Sequence, residues 1–397
     1  MKKLFLGLKI DSTYASLVFS DSLTDNLTQK LELRLLKKRN PELGELQPEM
    51  IEEIREEIIK VERATSSKVF KIYFCFPQDR IKKIRASYKK LIHPKHSLPL
   101  SLSCITSALK EAQLLNLDWD DFCLETYPLE FKVDGKIFRN PPLGIYGRRL
   151  EVDVLFYVCR REDFLNLEKV FQYLGKPYQE IVLSSLAEAS SFREDSLGKG
   201  NFSLLNIGRN KVEFSYFRNF LLEDSFSFYK GGKFIDEQVS SQLNIPGELS
   251  EEIKLSYGSL AESDLEDPQP ITIKKVTKYK EIKRSTLNSV IFSSYKKILE
   301  ELKEILERKD LLRKIDYLVI LGGASRVKGF ESLAEQVLSL SVYKPALYVS
   351  NLQDREDRFL ASLGVLRFPF SKFNIKNKYK RKESLFSKIK NFLEEYF

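Results

Sequence analysis

The stretch "YPLEFKVDGKIFRNPPLGIYGRRLEVDVLFYV", residues 127–158, alternates strand-like runs with a loop rich in glycine and proline. Asp134-Gly135 is a turn pair, so "LEFKVDGKIF" reads as strands around a tight turn and "RRLEVDVLFYV" as a further strand. Just upstream, "SLSCITSALKEAQLL" (101–115) predicts a helix capped by Ser103 or a neighbour. From about Gln78 to Cys159, then, the chain predicts a small α+β unit inserted into something of different texture.

On the N-terminal side of that unit, residues 3–10 and 14–19 predict a hairpin turning at "DSTY". "ELQPEMIEEIREEIIKVERA" (45–64) carries Ile51, Ile54, Ile58 and Val61 at helical spacing, and "KVFKIYFCFP" (68–77) is a buried strand closed by Pro77. On the other side, "LNLEKVFQYLG" (165–175) and "LSSLAEASSF" (183–192) restore the α/β texture, and "EDSLGKGN" (194–201) is a turn-rich joint. "FSLLNIGRNKVEFSYFRNFLLEDSFSF" (202–228) predicts three strands with tight connections, like the first hairpin, so the chain is expected to hold two related halves. A long amphipathic helix follows, "SYKKILEELKEILERKDLLRK" (294–314), with Ile298, Leu299, Leu302, Ile305 and Leu306 on one stripe.

Composition narrows the class. With 397 residues, 43% hydrophobic and 30% charged, the chain can bury more than one core and is neither disordered nor fibrous. No apolar run approaches the roughly 18 residues of a spanning helix. The opening "MKKLFLGLKIDS" is broken by Lys9 and Asp11 and reads as a strand. The four cysteines lie far apart without a CxxC pair, and there are only two histidines, which argues against zinc and against a Ser–His or Cys–His hydrolase.

The net charge is +9, and the last 31 residues carry six of it, nine basic side chains against three glutamates. The basic signal therefore belongs to the tail, which points to an anionic surface rather than to a nucleic-acid groove on the body. In "ESLFSKIKNFLEEYF" (383–397), Leu385, Phe386, Ile389, Phe392, Leu393, Tyr396 and Phe397 fall on one helical face, preceded by Lys380, Arg381 and Lys382. That is the pattern of a helix lying in a membrane interface. A helix docked back on the body is the alternative.

Two segments suggest a ligand. In "YLVILGGASRVKGF" (317–330) a buried strand ends at Gly322-Gly323, where backbone N–H groups can approach a phosphate or nucleoside. In "KGGKFIDEQVSSQLNIPGELSEEIKLSYG" (230–258), Gly231-Gly232 precede a helix, and Glu251 and Lys254 sit one turn apart on another. Taken singly, a turn and a solvated ion pair explain them as well.

In their order these pieces resemble the actin-like ATPase superfamily, and the inserted unit resembles the FtsA family of bacterial cell division. The carriers are Asp134-Gly135, Asn140-Pro141, Gly144, Gly147 and Arg149-Leu150-Glu151, with "SSLAEA", "GGKFIDEQVSSQL", "EEIKLSYG" and "LGGASRVKGFESLAEQVL" beyond them. The likeness covers most of residues 1–365 and implies an α/β, actin-like two-domain fold. It divides the chain into a first domain (1–77 and 162–194) interrupted by the insert (78–161), a second domain (195–365), a basic linker (366–382) and a membrane helix (383–397).

The resemblance further implies ATP as cofactor, polymerisation, and binding of the C-terminal peptide of the tubulin-like FtsZ over residues 240–310, which include Lys274, Lys275, Lys278, Lys280, Lys283 and Arg284. Membrane lipid, downstream division proteins and a place at the inner face of the membrane complete the picture. A PilM-like pilus scaffold and an active ATPase or kinase are the alternatives.

The sequence departs from the family in both phosphate hairpins. Where the family resembles "LDIGTS" this chain has "LKIDST" (8–13), and where it resembles "DIGGGTTD" this chain has "NIGRNKVE" (206–213). Lys9 and Asn206 stand in place of carboxylates that would help hold a metal. The residues implied to meet nucleotide are Lys9, Ser12, Thr13, Gly208, Gly231, Gly232, Glu251, Lys254, Gly322 and Gly323. With Lys9, Arg209 and Lys211 supplying positive charge, nucleotide binding that is weak or metal-independent, with little hydrolysis, is expected; a cleft that binds no nucleotide is the alternative.

Overall fold

The structure is a computed structural model that describes residues 2–11, 13–23, 31–37, 47–197, 200–265, 269–275, 278–348 and 357–374. Its first sheet has β1 (Lys2–Ile10), β2 (Tyr14–Ser20), β3 (Leu31–Lys37), β4 (Ser67–Phe76) and β11 (Tyr178–Leu183), ordered β11-β4-β1-β2-β3. β1 pairs antiparallel with β2 and parallel with β4, as a central strand with near-continuous burial should. Helix α1 (Pro48–Thr65) presents Met50, Ile54, Ile58 and Val61 to this sheet, and α3 (Arg161–Leu174) adds Phe164, Leu167, Val170 and Phe171. α1 stops at Ser66, whose left-handed backbone (φ 51°) turns the chain into β4.

Between β4 and α3 lies the segment whose sequence differed in texture. It forms a separate sheet, β5-β10-β7-β8, from β5 (Lys82–Leu91), β7 (Asp121–Val133), β8 (Lys136–Phe138) and β10 (Arg149–Arg160). A short pair, β6 (Leu98–Pro99) with β9 (Tyr146–Gly147), and α2 (Leu102–Asn116) complete it. Asp134 (φ 47°) and Gly135 (φ 87°) make the β7–β8 turn, and the Asp134 carboxylate accepts the backbone N–H groups of Arg148 and Arg149. The cap of α2 is Ser101, whose Oγ accepts the Cys104 N–H at 3.2 Å. Residues of α2, β5, β7 and β10 share their own apolar core.

The second half repeats the first. β12 (Phe202–Ile207), β13 (Val212–Arg218), β14 (Leu221–Phe228) and β17 (Tyr317–Leu321) are ordered β14-β13-β12-β17, with β12 antiparallel to β13 and parallel to β17. The hairpin β12–β13 thus stands in its sheet as β1–β2 stands in the first. Around it lie α5 (Gly232–Leu243), α6 (Gly247–Tyr257), α7 (Glu262–Leu265), the hairpin β15 (Pro270–Lys275) with β16 (Lys278–Lys283), and α8 (Arg284–Arg308). α8 starts ten residues before the predicted helix, because Leu287, Val290 and Ile291 already face the core, and it ends at Arg308 rather than at 314.

Helix α4 (Ser184–Ser190), α9 (Phe330–Leu338) and α10 (Asp357–Arg367) finish the fold. α4 and α10 pack together between the two halves, within one cluster that takes residues from both sheets. The chain remains packed past residue 366, where the sequence placed the start of the basic linker. Arg367 is fully buried and donates to the Ser190 carbonyl at 2.6 Å, and Phe368 and Phe373 are core residues. The remaining linker and the whole helix predicted at 383–397 lie outside the described residues.

Candidate functional site

The ends of β1, β4 and β12 converge on Glu188 of α4. This carboxylate is buried in a run of small and apolar residues, so it demands a positive partner. Lys9 Nζ donates to its Oε1 at 3.0 Å, and Asn206 Nδ2 donates to the same oxygen at 2.9 Å. Asp11 lies 3.7 Å from Lys9 on the other side. Burial alone would lower the Lys9 pKa; Glu188 and Asp11 outweigh it and raise the pKa well above the ordinary lysine value, so the ammonium stays charged.

The second hairpin is stitched in the same manner. Lys211 Nζ reaches Asp79 Oδ1 at 2.6 Å and Glu213 Oε1 at 3.1 Å. Asp79 belongs to the single helical turn after β4, so this pair crosses from one half to the other. Burial pushes the Glu213 carboxyl up to about 6, against the opposing pull of Lys211 and Lys9. Arg209 meets Glu251 of α6 at 2.6 Å. Between Lys9, Asp11, Cys75, Lys211 and Glu213 the remaining cavity is about 10 Å³, the room of about one water.

Around the β12–β17 end of the second sheet the structure gathers Gly208, Gly231, Gly232, Lys254, Gly322 and Gly323. The N–H of Gly232 donates to the Gly208 carbonyl at 2.9 Å, and that of Lys233 to the Arg209 carbonyl at 2.7 Å. The free N–H groups that a helix start offers to an anion are here taken by the hairpin. Gly231 permits that contact: a Cβ there would sit 2.4 Å from the Arg209 carbonyl oxygen. Gly322, at φ 97°, needs a residue without a side chain for the same approach, to Ile207 and Asn206.

Lys254 is buried, lies 2.7 Å from Asp236 Oδ1 and donates to the Gly232 carbonyl at 3.2 Å. Glu251, one turn away, turns instead to Arg209, so the two do not converge on one point. Thr13 is half-buried in the β1–β2 turn, and Ser12 lies outside the described residues.

The acids that answer these bases, Glu188, Asp79, Glu213 and Asp236, escaped the reading of the sequence. Glu188 alone carried a signal, as the lone carboxylate in "SSLAEASS".

With this geometry in place, comparisons with known proteins are informative. The family model for cell division protein FtsA matches residues 203–364. FtsA of Streptococcus pneumoniae serotype 2 is 26% identical over 249 residues, which are 62% of this chain and 54% of that protein. FtsA of Buchnera aphidicola subsp. Schizaphis graminum is 22% identical over an alignment spanning 100% of this chain and 99% of that one. The chain is similar in sequence to the FtsA family along its whole length.

Solved structures show the actin-like fold. The PilM–PilN type IV pilus biogenesis complex aligns with a TM-score of 0.61 at 14% identity, over 91% of this chain and 97% of that one. MreB5 of Spiroplasma citri bound to ADP aligns at 0.54 and 11%, over 95% and 98%.

A magnesium nucleotide can be tested against the cleft as it stands. Lys9, Arg209 and Lys211 each have a protein carboxylate within 3.0 Å, the cavity between the hairpins is too small for a phosphate, and the first α5 N–H groups are engaged. Among the described residues no group of three His, Cys, Asp or Glu gathers to hold a metal. The phosphate side of this FtsA-like cleft does not fit the group.

Proposed function

We propose that this chain is a cell-division scaffold, an actin-like protein that self-associates beneath the membrane and ties an FtsZ-type ring to it. The observation that carries this reading is the alignment with FtsA of Buchnera aphidicola along both full lengths, joined to the separate β5–β10 sheet set between β4 and α3. In this reading residues 78–161 are the inserted subdomain, 195–365 the second domain, and 383–397 the membrane foot.

One interfacial helix binds reversibly. Copies in a filament hold far better, because each later contact is intramolecular. The hairpin β15–β16 brings Lys274, Lys275, Lys278 and Lys280 to one short ribbon, a complement to a partly acidic FtsZ tail peptide. Downstream division proteins would join the assembled filament.

Flotation with anionic liposomes tests the proposal. The full chain is expected to float and carry FtsZ with it, and a chain lacking residues 383–397 to stay behind. Failure of the full chain both to float and to recruit FtsZ removes the reading. The 0.61 similarity to the PilM–PilN complex favours a pilus scaffold as the second reading. Capture of a PilN-type peptide, with FtsZ ignored, would select it.

A further inference from the structure

We infer that the cleft is closed by a clasp of the protein's own ion pairs, standing where a nucleotide would otherwise bridge the halves, so that the closed state needs no nucleotide. The inference is independent of whether the chain serves cell division.

Among the described residues, polar ties at three places join β12–β14 and the turn after them to the first half or its insert. Asn206 donates to Glu188 at 2.9 Å. Lys211 meets Asp79 at 2.6 Å, and Tyr229 also donates to that carboxylate, at 3.4 Å. Lys83 of β5 meets Asp224 of β14 at 2.7 Å, and Tyr157 donates to the Leu222 carbonyl at 3.2 Å beside it.

Lys211 and Asp79 are nearly buried, with side chains 11% and 12% exposed, so water screens their attraction weakly. A nucleotide phosphate entering between the hairpins would have to pull Lys9 from Glu188 and Lys211 from Asp79, leaving carboxylates unpaired in a buried place. That cost opposes binding, because a buried charge stripped of its partner is strongly unfavourable.

The geometry also gives the hairpin substitutions a common logic. A lysine in β1 and an asparagine in β12 both donate to one carboxylate, Glu188, from opposite halves. Two carboxylates in those places would repel Glu188; a cation and an amide turn it into the pin of the clasp.

The experiment uses the full-length chain and measures ATP binding at equilibrium, with and without magnesium, beside hydrogen exchange at residues 78–83 and 206–213. Expected are no saturable ATP binding in either condition and an exchange pattern that ATP leaves unchanged. Asp79→Asn and Lys211→Met should each speed exchange on both sides of the cleft by roughly tenfold or more, and together by no more than either alone.

Lys83→Met, at the crossing tie whose lysine is 33% exposed, serves as the variant that keeps the fold if the buried ones lose it; faster exchange at residues 78–83, and at 221–228 measured alongside, is its expected result. Saturable ATP binding that slows exchange in the cleft overturns the inference. So does additive behaviour of the Asp79 and Lys211 variants, or the absence of any effect from Lys83→Met.

Discussion

The β1–β2 and β12–β13 hairpins hold equivalent places in their sheets, yet they settle their charge differently. The first keeps Lys9 at 8% exposure and spends it inside its own half, on Glu188 and Asp11. The second sends Lys211 and Arg209 outward, to Asp79 across the cleft and to Glu251 on α6. Topology fixed where each turn sits; the residues at the turns decided whether it became an anchor or a latch.

The anchor should be the costlier one to break. Lys9→Met leaves the buried Glu188 with only the Asn206 amide, so a loss of about 3–5 kcal/mol is expected in urea unfolding. Adding Glu188→Gln should recover much of it, because the stranded charge is then gone. A double variant as unstable as Lys9→Met alone would show that packing, not charge, holds this corner.

Next in size is the backbone contact that seats the latch on α5. In Gly231→Ala the new Cβ meets a carbonyl oxygen at 2.4 Å, and neither backbone can yield cheaply. A loss of about 1–3 kcal/mol is expected, since overfilling a packed contact typically costs that much. Thermal unfolding of Gly231→Ala beside Gly247→Ala, where a Cβ meets nothing within 4 Å, separates the contact from the general effect of removing a glycine.

The latch also carries a pH signature. Glu213 faces Lys211 and Lys9, with Glu188 and Asp11 beyond them, and burial lifts its pKa from 4.5 to about 6. A carboxyl whose folded pKa is raised favours the folded state below its unfolded value, and that advantage fades as pH rises through the folded one. The wild type should therefore lose up to about 2 kcal/mol from this group between about pH 4.5 and 6. Glu213→Gln should flatten that interval and leave the slopes elsewhere unchanged. An identical slope in both proteins would assign the titration to another acid.

How much of this was legible in the sequence follows from separation along the chain. The two hairpins, the glycine turns and the inserted sheet depend on neighbours in sequence, and periodicity and turn residues exposed them. Glu188 and Asp79 lie 179 and 132 residues from the lysines they meet, and a single sequence holds no signal for such pairing. The early part of α8 was missed because Ser285, Thr286, Asn288 and Ser289 are indifferent helix formers, overridden here by the burial of Leu287 and Ile291. Arg367 was counted with the basic tail on charge alone, whereas its guanidinium packs against the Tyr348 ring in the core. Lys372, counted with it, pairs with Glu194 at 3.8 Å.

The smallest effect sharpens the contrast most, because it isolates the latch from the core. Arg209 and Glu251 are 25% and 45% exposed, so solvent screens them and their pair should contribute only about 0.2–1 kcal/mol to global stability. Arg209→Gln should thus scarcely move the unfolding midpoint. It should still loosen the β12–β13 turn locally, because the lost pair ties that turn to α6. A midpoint shift as large as that of Lys9→Met would mean that latch and anchor are one cooperative unit, and the distinction between the two hairpins would fall.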